Sequence, residues 1–154
     1  MKKNDCLVCQ RIDLIKGNKN IFFVKELKTG YVVLADYQYF YGYTIFLAKK
    51  HTDELYKLGE KEKDLFLKEM SIVAESVIKA FNPKKLNYEL LGNSDSHLHW
   101  HLIPRYETDL KPDQPIWVID KNIRCNENSK PSTEELKKIK GKLLTQLKKL
   151  FKNY

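Results

Sequence analysis

The sequence predicts an α+β domain built on a mostly antiparallel sheet of about five strands. Short β-branched and aromatic runs cluster before residue 50, one long stretch of helical periodicity follows, and two more strand-like runs come after it. The last of these runs, His97-Leu98-His99-Trp100-His101-Leu102, alternates polar and apolar residues without a break, the pattern of a half-buried strand. Further on, Leu136, Ile139, Leu143, Leu147 and Leu150 recur at helical spacing with lysines between them, which adds a C-terminal amphipathic helix.

Residues 21–26, 31–36 and 43–48 read as the first three strands, with Lys28-Thr29-Gly30 as the turn of a hairpin between the first two. The link at 37–42 is rich in aromatic residues, which suits either packing beneath the sheet or a stacking wall for a nucleobase. Thr52 or Asp53 is expected to cap the long helix, in which Phe66, Met70, Val73 and Val77 recur through to Phe81 before Asn82-Pro83 stops it. Strands over 86–91 and 97–103 follow, joined by the polar stretch 92–96, and Pro104 is expected to end the ladder for want of an N–H. The segment 111–117 reads as extended and proline-punctuated. Ser132 and Glu135 form a capping box for the last helix.

A chain of 154 residues with 42% hydrophobic content folds as one domain, read as 1–120, with a basic extension over 121–154. The formal charge of +8 is concentrated in the extension, which holds ten Lys and Arg against three Glu, so the body is nearly neutral. A Lys-rich face on a short helix reads as a solvated face, and nucleic-acid binding is not expected. No apolar run reaches membrane-span length and the N-terminus lacks the apolar stretch of a signal peptide, so no membrane partner and a cytoplasmic location are expected. Three cysteines, an odd number, favour ligand or free-thiol roles over a disulfide framework.

Side chains on a strand alternate between faces, so His97, His99 and His101, three of the four histidines, share one surface while Leu98, Trp100 and Leu102 share the other. Crowded polar groups are costly unless paired or used. Metal ligation, acid–base chemistry and nucleophilic attack on phosphorus are the uses that suit an imidazole neutral near pH 7. Cys6-Leu-Val-Cys9 is a metal knuckle, a redox pair or a coincidence. No thioredoxin-like setting follows it, and two thiolates make half of a tetrahedral zinc site whose other ligands would be histidines.

His97-Leu98-His99-Trp100-His101-Leu102-Ile103, preceded by Gly92-Asn93-Ser94 and followed by Pro104-Arg105, resembles the motif of the histidine triad (HIT) superfamily, with Asn93 where that family commonly has Gln. The resemblance extends from about Cys6 to Trp117 and implies a HIT-like fold. It implies that His99 is a nucleophile toward the α-phosphorus of a nucleotide, with His101 and Ser94 as catalytic partners. Asn93 and His101 would contact phosphate, and Asp36 would hold the ribose. It further implies a structural zinc ion on Cys6, Cys9, His51 and His97, and a homodimer. The implied activity is hydrolysis of a dinucleoside polyphosphate such as diadenosine tetraphosphate through a nucleotidyl-histidine. The alternatives are a phosphoramidase or nucleotidyltransferase of the same superfamily, and a non-catalytic nucleotide-binding adaptor.

Overall fold

The computed structural model describes residues 5–153. Helix α1 (Leu7–Lys16) leads into strands β1 (Phe23–Glu26), β2 (Gly30–Leu34) and β3 (Thr44–Ala48), then helix α2 (Glu60–Phe81), strands β4 (Lys85–Glu89) and β5 (His99–Arg105), a single turn α3 (Lys121–Arg124) and helix α4 (Thr133–Leu150). The sheet is antiparallel throughout, in the order β1-β2-β3-β5-β4. The α+β class and the five strands therefore stand as expected.

Period-2 alternation sorts the side chains onto two faces. Val32 and Leu34 of β2, Phe46 and Ala48 of β3, and Leu98 and Leu102 around β5 join one apolar core with α2 and α4. In that core Phe46 stacks on Phe66 of α2 at 4.9 Å between ring centroids, and Leu136, Ile139, Leu143 and Leu147 of α4 are buried. Helix α4 starts from the expected Ser132–Glu135 capping box and turns most of its lysines outward. The opposite face carries Tyr31, Val33 and Leu47 beneath α1. A third cluster joins Phe40, Ile103, Ile116 and Ile119, so the chain after β5 is anchored on that same face. Between these two covered regions lie His99 and His101.

Three local expectations are corrected. Helix α2 begins at Glu60 behind Gly59 instead of at Thr52 or Asp53, because the Thr52 carbonyl accepts from Leu98 N at 2.6 Å and holds the chain extended alongside the histidine strand. Pro104 does not end the ladder: it pairs with Leu86, and β5 runs to Arg105. Pairing with β3 stops at Leu102, so the missing N–H falls where β5 has a neighbour on one side only. Helix α1 occupies a stretch read only for its cysteines; its Val8, Ile12 and Ile15 are buried on one side.

The hairpin turn is fastened by Glu69, a buried α2 carboxylate that accepts from the amides of Lys28 and Thr29, each at 2.9 Å, and from the Thr29 hydroxyl. Gly30 is required beside it, since a Cβ there would stand 2.4 Å from the Phe46 ring and 2.5 Å from the Leu47 carbonyl. Gly42 has φ +87° and faces Phe81 as closely, so both its backbone and its neighbour demand glycine.

Candidate active site and metal cluster

The N-terminus of α1 delivers two sulfurs to the start of the histidine strand. Cys6 is the N-cap, its Sγ accepting from Cys9 N at 3.4 Å, which turns both sulfurs the same way. His97 Nδ1 lies 3.5 Å from each sulfur, His51 Nδ1 lies 3.2 Å from Cys9 Sγ, and the two nitrogens are 3.3 Å apart. All four potential ligand atoms fall within 4.8 Å of one another. A tetrahedral zinc ion with bonds of about 2.0–2.1 Å to nitrogen and 2.3 Å to sulfur separates its ligands by roughly 3.3 Å (N to N) and 3.5 Å (N to S). The set therefore fits such an ion. The His97 ring is oriented for it: Nε2–H donates to the Ala48 carbonyl at 2.8 Å, leaving Nδ1 as the free lone pair that faces the sulfurs. Burial, first of all, holds the pKa of His97 below its usual range.

The other two histidines form a chain of hydrogen bonds whose polarity can be worked out. His99 Nδ1 lies 2.5 Å from the His97 carbonyl, which can only accept, so Nδ1 carries the proton and Nε2 of the neutral ring is bare. His101 Nε2, 3.0 Å from His99 Nε2, must then donate, and its Nδ1 in turn accepts from the Tyr43 hydroxyl at 2.7 Å. Burial, and secondarily the charge of His99, pushes His101 down to about 4, so it stays neutral near pH 7. Burial and then Glu89 raise the Tyr43 hydroxyl, keeping it a donor. The three donors point in one sequence, Tyr43 to His101 to His99 to the His97 carbonyl, and leave His99 Nε2 unprotonated, its lone pair accepting only from His101.

A cavity of about 420 Å³ opens over this chain, lined by Asn93, Ser94, His99, His101 and Trp117. Of the residues expected to act together, Asn93, Ser94, His99 and His101 are thus assembled, with Asn93 and Ser94 on the exposed lip. Asp36 stands apart, in a neighbouring cavity of about 180 Å³ that also takes in Tyr37, Tyr39, Tyr43 and Arg124. Both its carboxylate oxygens are engaged by Arg11 of α1, one of them at 2.8 Å, so a ribose hydroxyl there would meet an existing ion pair. The aromatic link divides its residues between the core and a cavity wall. Phe40 and Tyr41 pack inward, Tyr41 against Phe81 at 5.5 Å, while Tyr37 and Tyr39 line the second cavity.

The sequence reading missed Tyr43, Arg11, Trp117 and Arg124. Tyr43 had a detectable signal: with Ile45 and Leu47 it shares the parity that register places beside His101 and His99. The others arrive by tertiary packing, with no local pattern to mark them.

A HIT domain model matches residues 18–108, and the chain belongs to that family. It is 28% identical over 118 residues to a HIT-like protein of Mycoplasma pneumoniae, covering 71% of this chain and 78% of the relative. Among solved structures, a histidine triad protein from Sinorhizobium meliloti superposes with a TM-score of 0.72 at 22% identity, over 81% of this chain and 88% of that one. A Zn-bound histidine triad family protein from Mycobacterium smegmatis superposes with a TM-score of 0.64 at 17% identity, over 99% of this chain and 100% of the other.

Proposed function

We propose that this HIT-family protein hydrolyses a dinucleoside polyphosphate at its α-phosphate through a nucleotidyl-histidine on His99. The observation that carries the reading is the bare Nε2 of His99, held by a directed hydrogen-bond chain at the floor of a cavity rimmed with donors. The Nε2 lone pair attacks the α-phosphorus as the bond to the bridging oxygen breaks and the leaving phosphate takes that electron pair. Nε2–H of His101 frees that pair by turning from His99 to a phosphoryl oxygen of the bound nucleotide, where Asn93 and Ser94 add donors as charge develops. Water then attacks the phosphorus and gives up a proton to solvent, the P–N bond returns its pair to Nε2, and the nucleoside monophosphate leaves.

Cys6, Cys9, His51 and His97 would hold a zinc ion, and a protein of this fold is Zn-bound. Four protein ligands leave no open position, so the ion would tie α1 to the histidine strand and take no part in the chemistry. A homodimer is also proposed, through β4. That strand is one of the two edges of the sheet, and Tyr88 and Leu91 at or just beyond it are 46% and 42% exposed.

Turnover of diadenosine tetraphosphate and of adenosine 5′-phosphoramidate, in wild type and His99→Ala, tests the reading. Wild type should cleave the tetraphosphate, with activity down by about 10⁴-fold or more in the variant, as for other nucleophiles acting within a unit. Activity that survives His99→Ala would refute it.

A further inference from the structure

We propose that Arg124, supplied by the C-terminal segment outside the matched HIT domain, is an anion-binding residue that selects a polyphosphate leaving group over a neutral one. The proposal rests on the nucleotide-site reading above and adds to it the chemistry of the group that departs.

Arg124 is built into the site from several sides. It ends α3, whose first turn is capped by Asp120 through Asn122 N at 2.7 Å, and its own amide bonds the Asp120 carbonyl at 3.2 Å. Its Nε donates to the Ile119 carbonyl at 2.9 Å, and its guanidinium lies 5.2 Å from the centre of the Trp117 ring. Ile116 and Ile119 are seated in the apolar cluster with Phe40 and Ile103, which fixes this platform on the sheet. The Ser129 carbonyl accepts from Gln38 N at 2.6 Å and ties the rest of the segment to the aromatic link.

The guanidinium therefore stands at the seam of the two cavities, lining the one that holds Asp36 and Tyr43 and lying over the Trp117 that walls the one above His99 and His101. Its two terminal nitrogens make no hydrogen bond or ion pair with the described residues. Arg11, the other cation lining these cavities, is committed to Asp36. A polyphosphate lying across the seam would thus find one planar, uncommitted fork, already positioned at little entropic cost. A neutral amine leaving group has no use for it. The rival role is structural: Arg124 also lies near the half-buried carboxyl of Glu89, one oxygen of which is buried without a partner.

The test is calorimetric binding of adenosine and of α,β-methylene-ATP, which cannot be cleaved at the α-phosphate, to the wild-type chain and to Arg124→Gln and Arg124→Lys. Arg124→Gln should raise the Kd for α,β-methylene-ATP about tenfold or more, the scale of lost charge-assisted hydrogen bonds, and that for adenosine less than about twofold. Arg124→Lys, keeping the charge but not the fork, should fall between. Equal weakening of both ligands would assign Arg124 to packing and to Glu89 and overturn the proposal. So would no weakening of either, or a wild type that binds α,β-methylene-ATP no better than adenosine. Arg124-dependent binding by a wild type that turns over nothing would sink the hydrolase reading alone, whereas hydrolysis with no dependence on Arg124 would sink this inference alone.

Discussion

His99 shows how far a residue's role follows from its neighbours. Nothing about the ring itself marks one nitrogen as the unprotonated one; the His97 carbonyl does so by accepting at Nδ1, and Tyr43 secures the arrangement from the other end. The three histidines were legible in the sequence because strand alternation puts them on one face. Tyr43 and Arg124 were not singled out, since the first looks like one tyrosine among nine and the second reaches the site only through α3 and Trp117. The buried neutrality of His101 has a measurable consequence. Its folded pKa of about 4 lies below the ordinary histidine value, so between those limits the unfolded chain binds the extra proton. Its contribution to stability is full above about pH 6.5 and is lost as pH falls through about 4, on the order of 3 kcal/mol in all. Denaturant unfolding from pH 7 to pH 4 should accordingly show a shallower loss of stability in His101→Asn than in wild type. Parallel curves for the two proteins would contradict the burial argument.

Helix α1 joins the Cys/His cluster to the face that carries the two cavities. One side of it places Cys6 and Cys9 against His97, and Arg11, half a turn further, meets Asp36. Its periodicity, Val8, Ile12 and Ile15, was present in the sequence but was overshadowed by the Cys-x-x-Cys, whose two sulfurs invite a loop reading when their histidine partners are 42 to 91 residues away. The late start of α2 was beyond local reading for a different reason, because the hydrogen bond that keeps Thr52 extended comes from Leu98. If the cluster holds zinc, the metal contributes folding free energy directly. Protein purified without chelators should then carry about one zinc per chain, and Cys9→Ser should lose it together with roughly 5 °C or more of Tm, since a domain of this size shifts by several degrees for each kcal/mol. Metal analysis showing no zinc in wild type would remove the ion and leave the cysteines as buried thiols.

Across the whole molecule, the sheet divides the labour. One face is closed by α2 and α4, whose leucines make the C-terminal helix part of the main core, and the other stays open between α1 and the segment that carries Trp117 and Arg124. Among the described residues no helix is long and apolar enough to cross a membrane. For the proposed dimer through β4, sedimentation analysis at micromolar concentration should give a dimer that Tyr88→Lys weakens. A wild-type monomer under those conditions would contradict the edge assignment. The central claim, that His99 becomes covalently nucleotidylated, is tested most directly by acid-free quenching of wild type during turnover of diadenosine tetraphosphate, followed by peptide mass analysis. The account predicts one nucleotidyl group on the peptide spanning His97 to Arg105, localised to His99 and absent from His99→Ala; turnover with no adduct under conditions that preserve phosphoramidates, or an adduct on His101, would contradict it.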